Sequence, residues 1–235
     1  MKPERSRPQT LNAGIFNKKR VFMPISEVYN CDCLEYMKSL PDKYFDLCIA
    51  DPPYGINAAN MRMGTGRREW TRKEWDRQVP DSDTFAQILR VSKNAIIWGG
   101  NYFDLPLTDS WIVWDKMNPN LSFAEGELAW CSIKKKLRIF KYPTTNQGAR
   151  IHPTQKPVAL YAWLLDKYAI GGGKIFDPFL GSGSSRIAAY KKGFDFYACE
   201  LDKDYYEAQE ERFRRECLGE VVNTNGIKIV SQTLF

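Results

Sequence analysis

The sequence predicts an α/β protein built on a doubly wound, mostly parallel sheet. Short apolar runs such as "YFDLCIA" and "NAIIWGG" alternate with segments of helix length and spacing. These runs show little polar alternation, as expected of strands covered on both faces. Two of them end in an acid and a proline, at Asp51-Pro52 and Asp177-Pro178. Proline removes a backbone donor and fixes φ, so each strand stops where its acid stands.

In chain order, residues 1–24 read as an irregular arm. "SEVYNCD" is a short first strand, and "CLEYMKSL" a helix ending near Pro41. "YFDLCIA" is a buried strand running into Asp51. Residues 55–80 carry Gly, Arg and Trp without clean periodicity and read as a long loop. "SDTFAQILRVS" has an N-cap acid or serine and helical spacing. "NAIIWGG" and "SWIVWDK" are short strands, and "GELAWCSIKKKLRIFKY" is expected as a hairpin or strand pair. A helix starts near Pro157 and ends before Gly171-Gly172-Gly173. The remainder alternates regularly: strand "GKIFDPF", helix "GSSRIAAYKKG", strand "FDFYACELD" and charged helix "KDYYEAQEERFRREC". One domain over residues 1–235 accounts for all of it.

Composition narrows the class. Hydrophobic residues make up 43% of the 235, enough for a sizeable core. No apolar run approaches the roughly 20 residues that cross a bilayer. "MKPERSRPQTLNAG" has no apolar stretch behind it, so it does not read as a secretory signal. The six cysteines, at 31, 33, 48, 131, 199 and 217, are scattered, which fits reduced thiols in a cytoplasmic protein. No second cysteine pair or histidine cluster completes a metal site around Cys31 and Cys33. Net charge is +6, a mild pointer to a polyanionic partner. Arg62, Arg67, Arg68, Arg72, Lys73 and Arg77 crowd the segment after Asp51, and Lys134, Lys135, Lys136, Arg138 and Lys141 form a second cluster.

Two turns carry the chemistry. In "KIFDPFLGSGSSRIAA", a strand delivers Asp177-Pro178-Phe179, and Gly181-Ser182-Gly183 opens a helix. Glycine allows φ > 0 and close approach of a ligand, and the helix start offers free N–H groups. The next strand ends at Glu200, where a carboxylate suits the hydroxyls of a ribose. A dinucleotide fingerprint would place a third glycine at position 186; Arg186 stands there and argues against NAD or FAD. The other turn, "IADPPYGIN", holds a carboxylate, a stiff backbone and an aromatic ring at one strand end.

"DPPY" at Asp51–Tyr54, "HPTQKP" at His152–Pro157 and "DPFLGSG" at Asp177–Gly183 together resemble the amino-group DNA methyltransferases that use S-adenosylmethionine. Their order, catalytic turn first and cofactor turn last, resembles the permuted β group, most of whose members methylate adenine N6. The motifs span residues 30 to about 206. The resemblance implies a Rossmann-like methyltransferase sheet with a small inserted DNA-recognition region at 118–150.

It also implies roles. Asp51, Pro52, Pro53 and Tyr54 form the catalytic turn, with Asp51 also at the cofactor. Gly181, Ser182 and Gly183 wrap the methionine part of S-adenosylmethionine, and Asp177, Pro178 and Phe179 shape its pocket. Glu200 binds the ribose, Asp32 lies at the adenine, and Thr154 and Lys156 lie at the methionine carboxylate. The acid and the Pro52 carbonyl would accept hydrogen bonds from a flipped-out amine. The partner is DNA, gripped by Arg62, Arg67, Arg68 and Arg72 in loop 55–80 and by Lys134, Lys135, Lys136 and Arg138, both clusters flanking the mouth. Relatives of this group are often homodimers. The terminal "SQTLF" partly resembles peptides that bind replication sliding clamps; an apolar tail packed on its own domain is the favoured reading. A cytosine-N4 methyltransferase and a catalytically silent nucleic-acid-binding module are the alternatives.

Overall fold

The structure, a computed structural model, describes residues 23–56, 79–118, 124–146, 150–222 and 228–230. Eight strands form one sheet: β1 (Ser26–Tyr29), β2 (Phe45–Ala50), β3 (Ser92–Trp98), β4 (Trp111–Asp115), β5 (Gly126–Cys131), β6 (Arg138–Lys141), β7 (Lys174–Asp177) and β8 (Asp195–Cys199). Their order across the sheet is β1-β8-β7-β2-β3-β5-β4-β6. Neighbours from β1 to β3 pair in parallel. Strand β5 is antiparallel to both β3 and β4, while β6 runs parallel to β4. A short antiparallel pair, β9 (Glu220–Val222) and β10 (Lys228–Val230), was not expected from the sequence pattern.

Alternating strand side chains feed two cores. Leu47 and Ile49 of β2 join Ile96, Trp98 and Ile175 on one face. Cys48 and Ala50 join Ala95, Ile97 and Phe176 on the other. Helices α1 (Cys33–Lys38) and α2 (Ser82–Val91) cover the second face through Met37, Phe85 and Ile88. Helix α3 (Val158–Tyr168) covers the first through Leu160, Leu164 and Leu165, and α4 (Ser184–Lys191) through Ala188 and Ala189. The strands are therefore buried on both sides, which is why their sequence lacks polar alternation. Helix α5 (Lys203–Cys217) starts at an Asp202 N-cap whose carboxylate accepts from the Asp204 and Tyr205 amides. Asp32 and Asp81 cap α1 and α2 in the same way.

Two expectations need correcting. "GELAWCSIKKKLRIFKY" contains two strands, but they do not form a hairpin: β4 lies between β5 and β6. Trp114 of β4 is 2% exposed and packs in the core with Ile112, Ala129 and Leu160. Both strands thus belong to the main sheet, although they fall within the stretch expected as an insert. The second correction concerns the basic cluster. Because β5 runs antiparallel, Lys134, Lys135 and Lys136 follow its end at the edge where the parallel strands begin. The Ser132 amide donates to Ala95 O, Lys135 Nζ donates to Lys167 O at 2.6 Å, and Arg138 pairs in register with Ile112. These four residues lie at the edge opposite Asp51, not at the mouth.

Candidate active site

The connections set the location of the cleft. From β2 the chain moves outward to β3; from β7 it moves the other way to β8. Strands β2 and β7 are neighbours. Their carboxyl ends form the topological switch point, where open α/β sheets bind ligands. Asp51 follows β2, Asp177 ends β7 and Glu200 follows β8, so three acids stand side by side at one edge.

At Asp51, two neighbours hold one carboxylate oxygen. Oδ1 accepts from Lys156 Nζ at 2.5 Å and from the Tyr54 hydroxyl at 2.7 Å. Oδ2 accepts no hydrogen bond among the described residues, and the side chain keeps 18% exposure, so this oxygen is open to an incoming donor. The Pro52 carbonyl accepts no backbone bond among the described residues. Two acceptors are thus left together on a backbone that the prolines stiffen.

The lysine is held from three sides. Its ammonium donates to Asp51 Oδ1 and to the Tyr54 oxygen at 3.1 Å, and it forms an ion pair with Glu127 Oε2 at 3.0 Å. Lys156, expected at a methionine carboxylate, lies against the Asp51 turn. Glu127, in β5, is bridged on its other oxygen by Lys116 at 2.7 Å. Burial alone would push Lys156 down, but the two carboxylates outweigh it and raise it further. Burial likewise opposes the Glu127 anion, yet Lys156 and Lys116 hold it at about 2. Asp51 is raised, by burial first and then by the charge of Glu127, with Lys156 opposing. Burial and the two carboxylates push the Tyr54 phenol well up, so it stays protonated and donates.

The Tyr54 ring lies parallel to that of Tyr102, with centroids 5.2 Å apart. Tyr102 is 50% exposed. It follows Gly99, whose φ of +68° and absent side chain admit the Tyr54 ring. The ring expected to stack a base alone therefore already has an aromatic partner.

Beside this group is the glycine turn. Gly181 and Gly183 have φ of +52° and +74°. Glu200 ties the turn down: Oε2 accepts the Gly181 amide at 2.7 Å and Oε1 the Asp202 amide at 2.9 Å. Asp177 accepts from Ser185 Oγ at 2.6 Å and from the Phe179 amide at 3.0 Å. Burial pushes Asp177 up to about 7, with Asp51 and Glu200 adding to the rise. Ser182 is buried; its carbonyl accepts from Arg212 at 2.9 Å. His152 packs on Tyr205 and next to Gly181, and its Nδ1 lies 3.1 Å from Thr154 Oγ1. Asp32 sits beyond the end of β1, its carboxylate capping α1. Asn30, two residues earlier, donates to Glu200 O at 2.7 Å. Arg62, Arg67, Arg68 and Arg72, and the terminal "SQTLF", lie outside the described residues.

Sequence reading missed Glu127, Lys116, Gly99 and Tyr102. A buried lysine needs an anionic partner, but nothing in its motif says which strand supplies one.

Fold and cleft together define the Rossmann-like methyltransferase class. The sequence model of the N6 and N4 DNA methylases matches residues 93–211, just over half of the chain. The chain belongs to that DNA methylase family. It is 24% identical to the type II methyltransferase M.HinfI of Haemophilus influenzae, over 81% of this chain and 68% of that protein. In fold it resembles M1.HpyAVI in its SAM complex, with TM-score 0.52, 19% identity, and 80% and 98% of the two chains covered. It also resembles the cytosine-N4-specific PvuII DNA methyltransferase, with TM-score 0.55, 14% identity, and 81% and 87% covered. Among the described residues no helix is long and apolar enough to cross a membrane.

Proposed function

We propose that this DNA methylase transfers the methyl group of S-adenosylmethionine to the N6 amino group of a flipped-out adenine. The observation that carries the reading is Asp51 at the switch point, with Oδ1 anchored and Oδ2 open beside the Pro52 carbonyl. The cleft fits the cofactor by its donor set: Asp51, Asp177 and Glu200 line one edge and suit a cation, and two left-handed glycines keep the adjoining turn free of side chains. Asp32, Thr154, Pro178, Phe179 and Ser182 complete the proposed cofactor surround.

When bound, S-adenosylmethionine supplies an electrophilic methyl group on a positively charged sulfur. The protein prepares the other reactant. An exocyclic amine is a poor nucleophile because its lone pair is delocalised into the ring. Asp51 Oδ2 and the Pro52 carbonyl accept its two hydrogens and favour a tetrahedral nitrogen, with the acceptors fixed in advance. The amine proton passes to solvent water. The Tyr54–Tyr102 pair supplies the aromatic surface beside which the base lies.

An aspartate at position 51, where serine would lean towards cytosine, and the permuted motif order support adenine. A duplex base must leave the stack to reach Asp51. Loop 55–80, with Arg62, Arg67, Arg68 and Arg72, leaves the Asp51 turn directly and is the proposed DNA grip. The segments flanking β5 and β6 at the mouth are the proposed recognition region.

Incubation with methyl-labelled S-adenosylmethionine and DNA, followed by nucleoside mass spectrometry, tests the reading. N6-methyladenine is the expected product. N4-methylcytosine would transfer the same mechanism to the other base, and no labelled nucleoside would refute both.

A further inference from the structure

We propose that Glu127 is a positioning residue for methyl transfer, acting through Lys156 on the Asp51 carboxylate; this rests on the methyltransferase reading above. Three elements converge here. Glu127 comes from β5, Lys156 from the segment before α3 and Asp51 from the end of β2. Lys156 is 3% exposed and sits between the two acids, 2.5 Å from one and 3.0 Å from the other. Lys116 takes the outer oxygen of Glu127 at 2.7 Å, so the glutamate is fixed from behind.

Stability does not call for this arrangement. Desolvating such a cluster offsets much of its attraction, and apolar residues of like volume serve a core as well. Its effect on Asp51 is more specific. Two hydrogen bonds and the Glu127 ion pair hold the ammonium in one position, and that position pins Oδ1. Rotation of the carboxylate is then blocked, and Oδ2 stays on the amine side. A lysine facing Asp51 alone would be free to swing its other protons towards Oδ2 and occupy the acceptor the amine needs. Glu127 draws those protons away.

Among the described residues, the remaining charged or titratable groups that act on Asp51 are few. Tyr54 donates from the same turn, and Asp177 and Tyr161 feel its charge from β7 and α3. Glu127 and Lys156 therefore dominate its local field, with opposite signs.

The test is the pH dependence of kcat for E127Q, K156M and the double variant, with cofactor affinity measured by calorimetry. E127Q should lower kcat by roughly tenfold to a hundredfold, the scale of a small misplacement of a reacting group, and leave cofactor affinity within about twofold. Removing the negative neighbour should move the acidic limb to lower pH in E127Q; removing the cation should move it to higher pH in K156M. In the double variant E127Q should add no further loss in kcat. E127D keeps the charge, so its limb should stay in place while kcat falls, and it carries the test if E127Q does not fold. Wild-type kcat in E127Q, limbs that move in the same direction, or additive losses would each overturn the inference. Absence of methyl transfer by the wild type would instead remove the underlying reading.

Discussion

Gly99 shows how closely the Asp51–Tyr54 turn is fitted. A Cβ at this position would lie 2.3 Å from Tyr54 Cε1, and φ is +68°. Gly99→Ala should therefore displace Tyr54 and weaken its hydrogen bond to Asp51. The expected cost is about 1–3 kcal/mol of stability, from backbone strain and overpacking. Thermal unfolding and kcat should fall together; a variant with unchanged melting and turnover would contradict the close approach. Part of this site was legible in the sequence. Asp51, Pro52 and Tyr54 announce themselves because two prolines stop the strand between an acid and a ring. Gly99 and Glu127 did not, because their meaning depends on which strands are neighbours. Lys156 was visible in its motif, but the motif does not reveal that β5 brings a second carboxylate to it.

Helix α4 explains why a third glycine is absent from its turn. Arg186 occupies that position at 5% exposure. Its Nε donates to Ser26 Oγ at 2.9 Å, its NH1 donates to Gln209 Oε1 at 3.0 Å and to Glu210, and its guanidinium lies 3.8 Å from the Phe213 ring centroid. The side chain ties α4 to the edge strand β1 and to α5. Arg186→Ala should cost on the order of 3–5 kcal/mol, the usual penalty for breaking a buried pair, seen as a lower denaturant midpoint. Wild-type stability would contradict this role. Strands and helices were legible because their periods and stops are local. The order of β5, β4 and β6 was not, because a hairpin and an interleaved strand share the same local pattern. The basic residues from Lys134 to Arg138 were misplaced for the same reason: the direction of β5 decides which edge they reach.

Taken whole, the molecule is a switch-point cleft with acids at the ends of three adjacent strands. Asp177, in the middle of the three, is pushed up to about 7. A cation in the cleft favours its ionised form, so binding S-adenosylmethionine should release a proton, and affinity should rise with pH through about 7. Calorimetry in buffers of different ionisation heat should show this, and Asp177→Asn should abolish it; pH-independent affinity in the wild type would contradict it. The sign for folding is the reverse. The folded state holds this proton more tightly than the unfolded chain, so the contribution of Asp177 to stability falls as pH rises from about 4 to about 7. Under the proposed mechanism Asp51, by contrast, must be ionised to serve the amine. The most direct measurement is the single-turnover rate of methyl transfer by Asp51→Asn, alongside its affinity for S-adenosylmethionine. The rate should drop by at least about a hundredfold, as for loss of a preorganised electrostatic group, with affinity largely kept. Wild-type transfer by that variant would contradict the account.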